Sequence, residues 1–300
     1  GAGMISIMDN RMQLESIELG IDRDHQAIRI RFMHPGRPVI TSSFLKDLEA
    51  AQGLMTTVCE QDQARVPAER LRYLVLSSRL PGVFCLGGDL GLFLELIRNG
   101  DREHLTEYAH TCMEIAHRNL SGGDARLCTI SVVEGEALGG GFEMALVADT
   151  VIAEKRARFG FPETQFGLFP GMGAFSFLAR RISPALAKRM ITSGNIYTAA
   201  ELYEMGVVDL LAEDGKAEEM LHHYIKRRQS REGGYFAMDK IMAEHNPISR
   251  EELFRIVDLW VDTALNLPEK NLTMMNYLFR AQSKRWDPKA DATPVSRMRA

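Results

Sequence analysis

The sequence predicts a layered α/β domain that is followed by a helical C-terminal region. Over the first two thirds of the chain, apolar β-prone segments alternate with amphipathic helical segments. After about residue 216 the pattern becomes almost wholly helical, and no strand-like run occurs before residue 283. A chain of 300 residues is long enough to bury one large core or two of ordinary size.

The order of strands and helices follows from periodicity and propensity. Ala27–Met33 alternates apolar and polar residues, as a half-buried strand does. Phe44–Val58 has the apolar spacing of an amphipathic helix, and Leu71–Ser77 is an apolar, β-prone run typical of a buried strand. The remaining elements are predicted on the same grounds: helices at Leu90–Arg98 and Leu105–Asn119, and strands at Cys128–Val133, Thr150–Ala153 and Val207–Leu211.

Four regions are expected along the chain. Residues 1–24 form an N-terminal segment, in which residues 1–3 precede Met4 and are interpreted as a cloning remnant. Residues 25–215 form the core domain, and residues 216–285 form the helical region, which packs over the core or against another subunit. Residues 286–300 are polar, contain proline and are expected to be a loosely ordered tail.

Composition argues against several classes of protein. A net charge of −4 provides no basic surplus for nucleic acid, and we expect the runs Lys226–Arg228 and Lys284–Arg285 to be solvated helix faces. No apolar run is long enough to cross a bilayer. The four cysteines lack C-x-x-C spacing, so reduced thiols and a cytoplasmic location are expected. The eight histidines lack the spacing of metal ligands, so no metal site is expected.

Two glycine-rich segments each follow a predicted strand and precede a predicted helix. They are Phe84–Asp89 (FCLGGD) and Gly135–Glu143 (GEALGGGFE). Glycine allows the backbone to approach a ligand closely, and N–H groups at a helix start lack intrahelical partners. Two such groups aimed at one point form an oxyanion hole. For either segment alone, a tight turn with Asp89 as helix N-cap is the simpler interpretation. The motifs G-x-S-x-G and H-E-x-x-H are absent, so a serine hydrolase and a zincin lack support.

A third segment makes the pattern specific. Phe161–Gly173 reads F-P-E-x-x-x-G-L-F-P-G-M-G. The three segments, in this order and spacing, resemble the successive signatures of the crotonase (enoyl-CoA hydratase) superfamily. Gly194–Val208 is similar to the helix-then-strand element of that superfamily. The resemblance covers roughly Leu71–Leu211 and implies a crotonase-like spiral of ββα units.

Within that superfamily the sequence most resembles the RpfF-type diffusible signal factor synthases. This resemblance implies dehydration of a 3-hydroxyacyl thioester on acyl carrier protein to the cis-2-enoyl thioester. It also implies hydrolysis of that thioester to the free cis-2-unsaturated fatty acid, a quorum-sensing signal. The segments that carry the resemblance are Leu86–Arg98, Leu168–Phe177, Leu259–Leu265 and Arg280–Ser283.

The resemblance also implies roles for individual residues. The N–H groups of Gly88 and Gly140 correspond to the oxyanion hole, and Glu143 and Glu163 correspond to the two catalytic carboxylates. Elimination needs a base at the α-carbon and an acid at the β-hydroxyl, so one carboxylate must be ionised and the other protonated. The sequence does not assign these two roles. An arbitrary glutamate is most often a surface carboxylate. Glu136 and Glu154 lie nearby but miss the positions that carry these roles, and we interpret them as structural or solvated residues.

Five further residues are candidates for substrate binding. Some lie at positions that resemble the lining of an acyl-chain tunnel, and others border the oxyanion segment. Methionine and tryptophan on helices are more often ordinary core residues, which is the alternative for this set. The candidates are Met172, Trp260 and Leu278 for the tunnel, and Leu138 and Gly139 for the oxyanion segment.

Two other functions share these features. An ordinary enoyl-CoA hydratase or isomerase would use the same glutamates and the same oxyanion hole. An inactive crotonase-fold protein that regulates a partner by binding is the third hypothesis, because a fold does not fix a function. The expected substrate is a fatty acyl thioester on acyl carrier protein or CoA, with no cofactor. The resemblance further implies a sensor kinase or receptor as regulator and a homotrimer or hexamer as assembly.

Overall fold

Eleven strands run through the part of the chain that the structure describes. The computed structural model describes residues 11–121 and 127–286. In chain order the strands are β1 (Arg11–Gln13), β2 (Ile17–Asp22), β3 (Ala27–Phe32), β4 (Tyr73–Ser78), β5 (Val83–Cys85), β6 (Cys128–Val133), β7 (Glu136–Leu138), β8 (Thr150–Glu154), β9 (Arg158–Gly160), β10 (Ile196–Thr198) and β11 (Leu210–Ala212).

The strands form a large and a small sheet. The large sheet has the order β1-β2-β3-β4-β6-β8-β11, and its strands are parallel from β3 onward. Strand β2 pairs antiparallel with β3, so the sheet includes residues 17–22, which precede the first strand predicted from sequence. The small sheet has the order β10-β9-β7-β5, in which β5, β7 and β9 are parallel. The central strands are buried throughout, as their apolar runs predict for a parallel sheet covered on both faces.

The helices cover both faces of the large sheet. They are α1 (Ser42–Asp62), α2 (Leu90–Arg98), α3 (Arg102–Ser121), α4 (Gly140–Leu146), α5 (Ala174–Leu178), α6 (Pro184–Ser193), α7 (Ala199–Met205), α8 (Ala217–Ser230), α9 (Glu232–Glu244), α10 (Arg250–Leu265) and α11 (Glu269–Arg285). The last four confirm the predicted helical region. No helix in the described ranges is long and apolar enough to span a membrane.

Strands alternate between the two sheets as the chain proceeds. The pairs β4–β5, β6–β7 and β8–β9 each place their first strand in the large sheet and their second in the small sheet. A helix follows each pair: α2, α4, or the 3₁₀ turn Pro162–Phe166 with α5 behind it. The chain therefore winds as a spiral of ββα units, which confirms the predicted fold class.

Aromatic packing joins the sheets to the first helix. Phe32 of β3 meets Phe44 of α1 and Phe84 of β5 edge to face, with ring centroids 5.3 and 5.1 Å apart. Each pair of this kind adds about 0.5–1.5 kcal/mol beyond the burial of its surface. The opposite face of the large sheet is covered by α8, through its buried residues Ala217, Leu221 and Ile225.

Several predicted elements have the observed bounds, and one is displaced. Helix Leu90–Arg98 and strand Cys128–Val133 agree with the prediction at both ends. The strand predicted at Val207–Leu211 begins only at Leu210. The N–H groups of Val207 and Val208 both donate to the carbonyl of Leu202. These hydrogen bonds close the C-terminal end of α7, so the strand begins later in the chain.

The prediction of solvated basic runs is wrong at Arg228. Its side chain lies on α8 and is only 2% exposed. The guanidinium forms an ion pair with Asp239 and lies over the rings of Tyr73, Tyr235 and Phe236. These partners on β4 and α9 satisfy the charge, so burial is possible. Of the predicted loose tail, residues 287–300 lie outside the described residues.

Candidate active site

Three turns of the chain meet at one edge of the small sheet. Strand β5 leads into Gly88, β7 leads into Gly139 and Gly140, and β9 leads into the 3₁₀ turn that carries Glu163. Because β5, β7 and β9 are parallel neighbours, their carboxyl ends lie at the same edge, where ligands bind in open α/β sheets. A cavity with about 510 Å³ of empty space opens there and is lined by all these residues and by Glu143.

The glycines are required by close contact between the first two turns. Gly87 has φ 101° and Gly139 has φ 54°, a region that favours glycine. A β-carbon on Gly87 would lie 2.9 Å from the carbonyl oxygen of Leu138. A β-carbon on Gly141 would overlap the carbonyl of Cys85. Side chains at these positions would push the two turns apart, so the glycines do more than make tight turns.

Two backbone N–H groups are available at the meeting point. Within the described ranges, neither Gly88 nor Gly140 donates its N–H to a backbone or side-chain acceptor. The two residues are close, because a β-carbon on Gly140 would lie 3.7 Å from the nitrogen of Gly88. Both line the cavity. This arrangement can stabilise negative charge on a carbonyl oxygen, as an oxyanion hole does. Asp89 also caps α2 by accepting from the N–H of Leu92, so the turn has a structural role as well.

Glu143 lies on the first turns of α4 and is 4% exposed. Its Oε2 accepts hydrogen bonds from the N–H groups of Met172 at 2.7 Å and Ala174 at 2.9 Å. Burial raises the pKa of this carboxyl well above its ordinary value, and the neighbouring Glu163 raises it further. Burial therefore favours the protonated form of Glu143. Because Oε2 already accepts two N–H groups, Oε1 is the oxygen that is free to carry the proton of that form.

Glu163 has a different environment in the 3₁₀ turn. Its Oε2 is buried without a hydrogen-bond partner in the described residues, and its Oε1 lies against the α-carbon of Gly139. Burial raises the pKa of Glu163 to about 7. Near neutrality this carboxyl is thus divided between its ionised and protonated forms. The two glutamates thus lie in different environments, each of which raises the carboxyl pKa, and such a pair suits acid–base chemistry in two roles.

The candidate binding residues divide into two groups. Met172 and Trp260 line the cavity beside Glu143, and Trp260 packs against Gly171 and edge-on against Phe93. Leu138 packs instead with a separate small cluster that includes Leu86, and Leu278 packs against the main core. Neither leucine lines the cavity. Gln282, one turn after Leu278 on α11, does line it. Gln282 lies within Arg280–Ser283, a segment that carries the sequence resemblance, but the sequence of a helical tail does not indicate which face meets the site.

A second cavity lies behind Glu143. It shares Gly140, Glu143 and Met172 with the first and extends between the large sheet and helices α1 and α3. Apart from Glu143, its polar lining side chains are Gln52 and Asn119, which lie together. This cavity was not predicted from the sequence. Gln52 is seven positions after Leu45 and four after Leu48, so the three residues share one face of a helix. The other lining residues are Ile30, Phe32, Ile40, Leu76, Cys112, Met113, Ile115, Ala116, Met144 and Val147.

The glutamates that were assigned structural roles are held by ion pairs. Glu136 accepts both guanidinium N–H groups of Arg285 from α11. Glu154 is buried, pairs with Arg156 and accepts from the N–H of Ala217 at the start of α8. Among residues 11–121 and 127–286, no cluster of three or more His, Cys, Asp or Glu side chains could hold a metal ion.

Comparison with known proteins gives a family and a fold. Residues 50–246 match the family model described as enoyl-CoA hydratase/isomerase. A protein of Arabidopsis thaliana, described as probable enoyl-CoA hydratase 2, mitochondrial, is 32% identical over 185 residues, which cover 61% of this chain and 56% of that protein. The chain thus spans about half the length of the curated relatives it matches.

Two solved structures share the fold. Human mitochondrial delta3-delta2-enoyl-CoA isomerase superposes with a TM-score of 0.72 at 21% identity, over 90% of this chain and 100% of that one. Enoyl-CoA hydratase from Bacillus halodurans superposes with a TM-score of 0.71 at 20% identity, over 88% of this chain and 100% of that one. At this level of identity the likeness establishes the architecture.

Proposed function

The chain belongs to the enoyl-CoA hydratase/isomerase family, and on that premise we propose that it interconverts a 3-hydroxyacyl thioester and its 2-enoyl thioester by acid–base catalysis. One observation carries the proposal. Two glutamates with raised pKa values line the site, the buried Glu143 and the half-buried Glu163. They lie beside the N–H groups of Gly88 and Gly140, which have no acceptor within residues 11–121 and 127–286. These are the parts that elimination of water from a thioester needs.

The carbonyl oxygen of the thioester binds between the N–H groups of Gly88 and Gly140. Removal of a proton from the α-carbon moves negative charge onto this oxygen, and the two donors stabilise the resulting enolate. Each oxyanion-hole donor contributes about 2.7–4 kcal/mol to transition-state stability in enzymes of known mechanism. The carbonyl site therefore supplies a large part of the rate enhancement.

The two glutamates divide the proton transfers. Glu163 contacts Gly139, next to the oxyanion donor Gly140, and its pKa of about 7 leaves an ionised form to take the α-proton. Glu143 in its protonated form, which burial favours, delivers its Oε1 proton to the β-hydroxyl, which leaves as water. The electron pair of the α-carbon–hydrogen bond forms the double bond. Exchange of a proton with solvent restores both carboxyls, and the reverse sequence hydrates the enoyl thioester.

A finer function is favoured by the cavity behind Glu143. We propose that the enzyme is a diffusible signal factor synthase that acts on 3-hydroxyacyl-acyl carrier protein and releases the free cis-2-unsaturated fatty acid. An apolar cavity that begins at Glu143 suits a fatty chain. The segments that resemble the signal synthases line the adjoining first cavity, and Met172 belongs to both. For the release step, the ionised Glu143 left by dehydration takes a proton from water, and the resulting hydroxide attacks the thioester carbonyl. The oxyanion hole then stabilises the tetrahedral intermediate, and the thiol leaves with a proton.

Product analysis tests both levels of the proposal. The protein is incubated with 3-hydroxydodecanoyl-acyl carrier protein beside Glu143→Ala and Glu163→Ala variants, and products are identified by mass spectrometry. Free cis-2-dodecenoic acid from the wild type, lost in both variants, supports the synthase. Rapid hydration of crotonyl-CoA without free acid supports an ordinary hydratase instead. Turnover of neither substrate overturns both and leaves a crotonase-fold binding protein.

Assembly and regulation are also proposals. We propose a homotrimer or hexamer, supported by three large apolar side chains of α9 that are mostly exposed: Met238, Ile241 and Met242. Light scattering of the purified chain tests this, and a monomer overturns it. A sensor kinase or receptor as regulator rests on the sequence resemblance alone, and co-purification with such a partner is its test.

A further inference from the structure

Two helices line the cavity behind Glu143, each with one face. Leu45, Leu48 and Gln52 lie on one face of α1, and Cys112, Ala116 and Asn119 lie on one face of α3. Gln52 is seven positions after Leu45, so the stripe between them is roughly 10 Å long at about 1.5 Å per residue. Gln52 and Asn119 therefore form the end of the cavity that is farthest along the helices.

Gln52 closes that end as a brace between the two helices. Its side chain is 8% exposed, and its Nε2 donates to the carbonyl of Ile115 at 2.8 Å and to Oδ1 of Asn119 at 2.9 Å. Its Oε1 is buried and has no partner in the described residues. An unpaired buried acceptor destabilises a fold, so packing alone would favour leucine here. The two hydrogen bonds fix the amide across the gap between α1 and α3.

The rest of the wall is more adaptable than its end. Met113, Met144 and Met172 line the cavity, and methionine side chains repack easily around a ligand. The width of the cavity can therefore adjust to a bound chain. Its length is set by Gln52, whose amide is fixed by hydrogen bonds to a second helix.

We propose that Gln52 determines the length of acyl chain that this enzyme accepts. The inference rests on the proposed function, in that the acyl chain of the thioester enters the cavity at Glu143. An extended chain advances roughly 1.2 Å per atom, since a residue of three chain atoms spans ~3.5 Å. The ~10 Å from Leu45 to Gln52 therefore corresponds to roughly nine carbon atoms. A longer chain meets the Gln52 amide and must displace it from Asn119 and Ile115.

Binding of free fatty acids tests the inference without catalysis. Affinities of saturated acids from octanoic to hexadecanoic are measured on the full chain by displacement of a fluorescent fatty acid. For the wild type we expect affinity to rise with length and then fall roughly tenfold or more once the chain exceeds the cavity. Gln52→Ala opens the end, so the fall is expected at longer chains. Ala116→Leu, which adds volume beside Asn119, is expected to move it to shorter chains.

Gln61→Ala is the matched control, because Gln61 is an exposed glutamine on the same helix. It is expected to leave the length limit unchanged. If Gln52→Ala does not fold, the shift in Ala116→Leu decides. An unchanged limit in the folded variants, or no binding of any fatty acid, overturns the inference. If Gln52→Ala shifts the length limit for fatty acids but the protein turns over no thioester, the proposed function is overturned and the inference stands. If the protein turns over thioesters but the length limit does not shift, the inference is overturned and the proposed function stands.

Discussion

Glu163 Oε1 occupies the space that a β-carbon of residue 139 would need. Gly139 has a left-handed φ of 54°, and its α-carbon is directly against the carboxylate. The second catalytic candidate is therefore seated on the turn that also presents the N–H of Gly140. The position of the Glu163 carboxylate and the position of the Gly140 N–H are coupled through this single glycine.

Gly139→Ala is expected to abolish most of the activity. The added methyl group displaces the Glu163 carboxylate and strains the backbone at a positive φ, so kcat/KM should fall roughly a hundredfold or more. Steady-state kinetics and circular dichroism measure activity and folding separately. Gly53→Ala is the control, because Gly53 is exposed in the interior of α1 with open space around it. It should keep full activity and raise the free energy of unfolding by about 0.5–1 kcal/mol. Full activity of Gly139→Ala would contradict the coupling.

The rate of dehydration should depend on pH through Glu163. If this carboxyl is the base, kcat/KM falls as pH drops below about 7, because protonation removes the ionised form. The fall should approach roughly tenfold per pH unit. Glu163→Gln should retain only residual activity, and its kcat/KM should not fall as the pH drops below about 7. A profile that stays flat down to about pH 5 would exclude Glu163 as the base.

The same carboxyl should make folding stability depend on pH. The folded-state pKa of Glu163 is raised, so its proton contributes stability that is present at low pH and is lost as pH rises through about 7. Glu163→Gln does not ionise, so relative to the wild type it should gain about 1–3 kcal/mol between pH ~5 and pH ~8. Urea unfolding at both pH values measures this gain.

Glu49→Gln provides the reference for that measurement. Glu49 is exposed on α1, so its substitution should change the unfolding free energy by less than about 0.5 kcal/mol at either pH. A stability difference between Glu163→Gln and wild type that does not change with pH would mean that Glu163 ionises as it does in the unfolded chain.

Arg228 should be a stability residue that is remote from the chemistry. Arg228→Leu removes a buried ion pair and leaves Asp239 without its partner, so unfolding should become easier by about 3 kcal/mol. Arg227→Leu, its exposed neighbour on α8, should change stability by less than about 0.5 kcal/mol. Urea denaturation compares the two. Equal effects would mean that the aromatic surroundings of Arg228 add nothing to its burial.

The large elements could be predicted from the sequence because their patterns are long. Strand Cys128–Val133 and helix Leu90–Arg98 show their periods within a single segment. The strands β5, β7 and β9 could not be predicted, since three residues are too few for alternation to be seen. Arg228 was misjudged because one of its partners, Tyr73, is 155 positions away.

The candidate site divides in the same way. The order of the motifs predicted one site for Gly88, Gly140, Glu143 and Glu163, and all four line the cavity. Their catalytic roles remain predictions. The cavity behind Glu143 could not be predicted from the sequence. Its walls come from β3, α1 and α3, and only the folded chain brings these elements together. Leu278 was predicted to line the site, but it packs against the core and Gln282 lines the cavity. The sequence of a helical tail does not show which face of the helix meets the site.

The spiral described above divides the proposed site among three successive repeats. The β4–β5 unit carries Gly88, the β6–β7 unit carries Gly140 with Glu143, and the β8–β9 unit carries Glu163. Under the proposed mechanism the base therefore lies on a repeat that holds neither carbonyl donor. A lineage can exchange Glu163 for another residue while both N–H groups stay in place. Such a division favours divergence of reaction type on a constant way of holding a thioester.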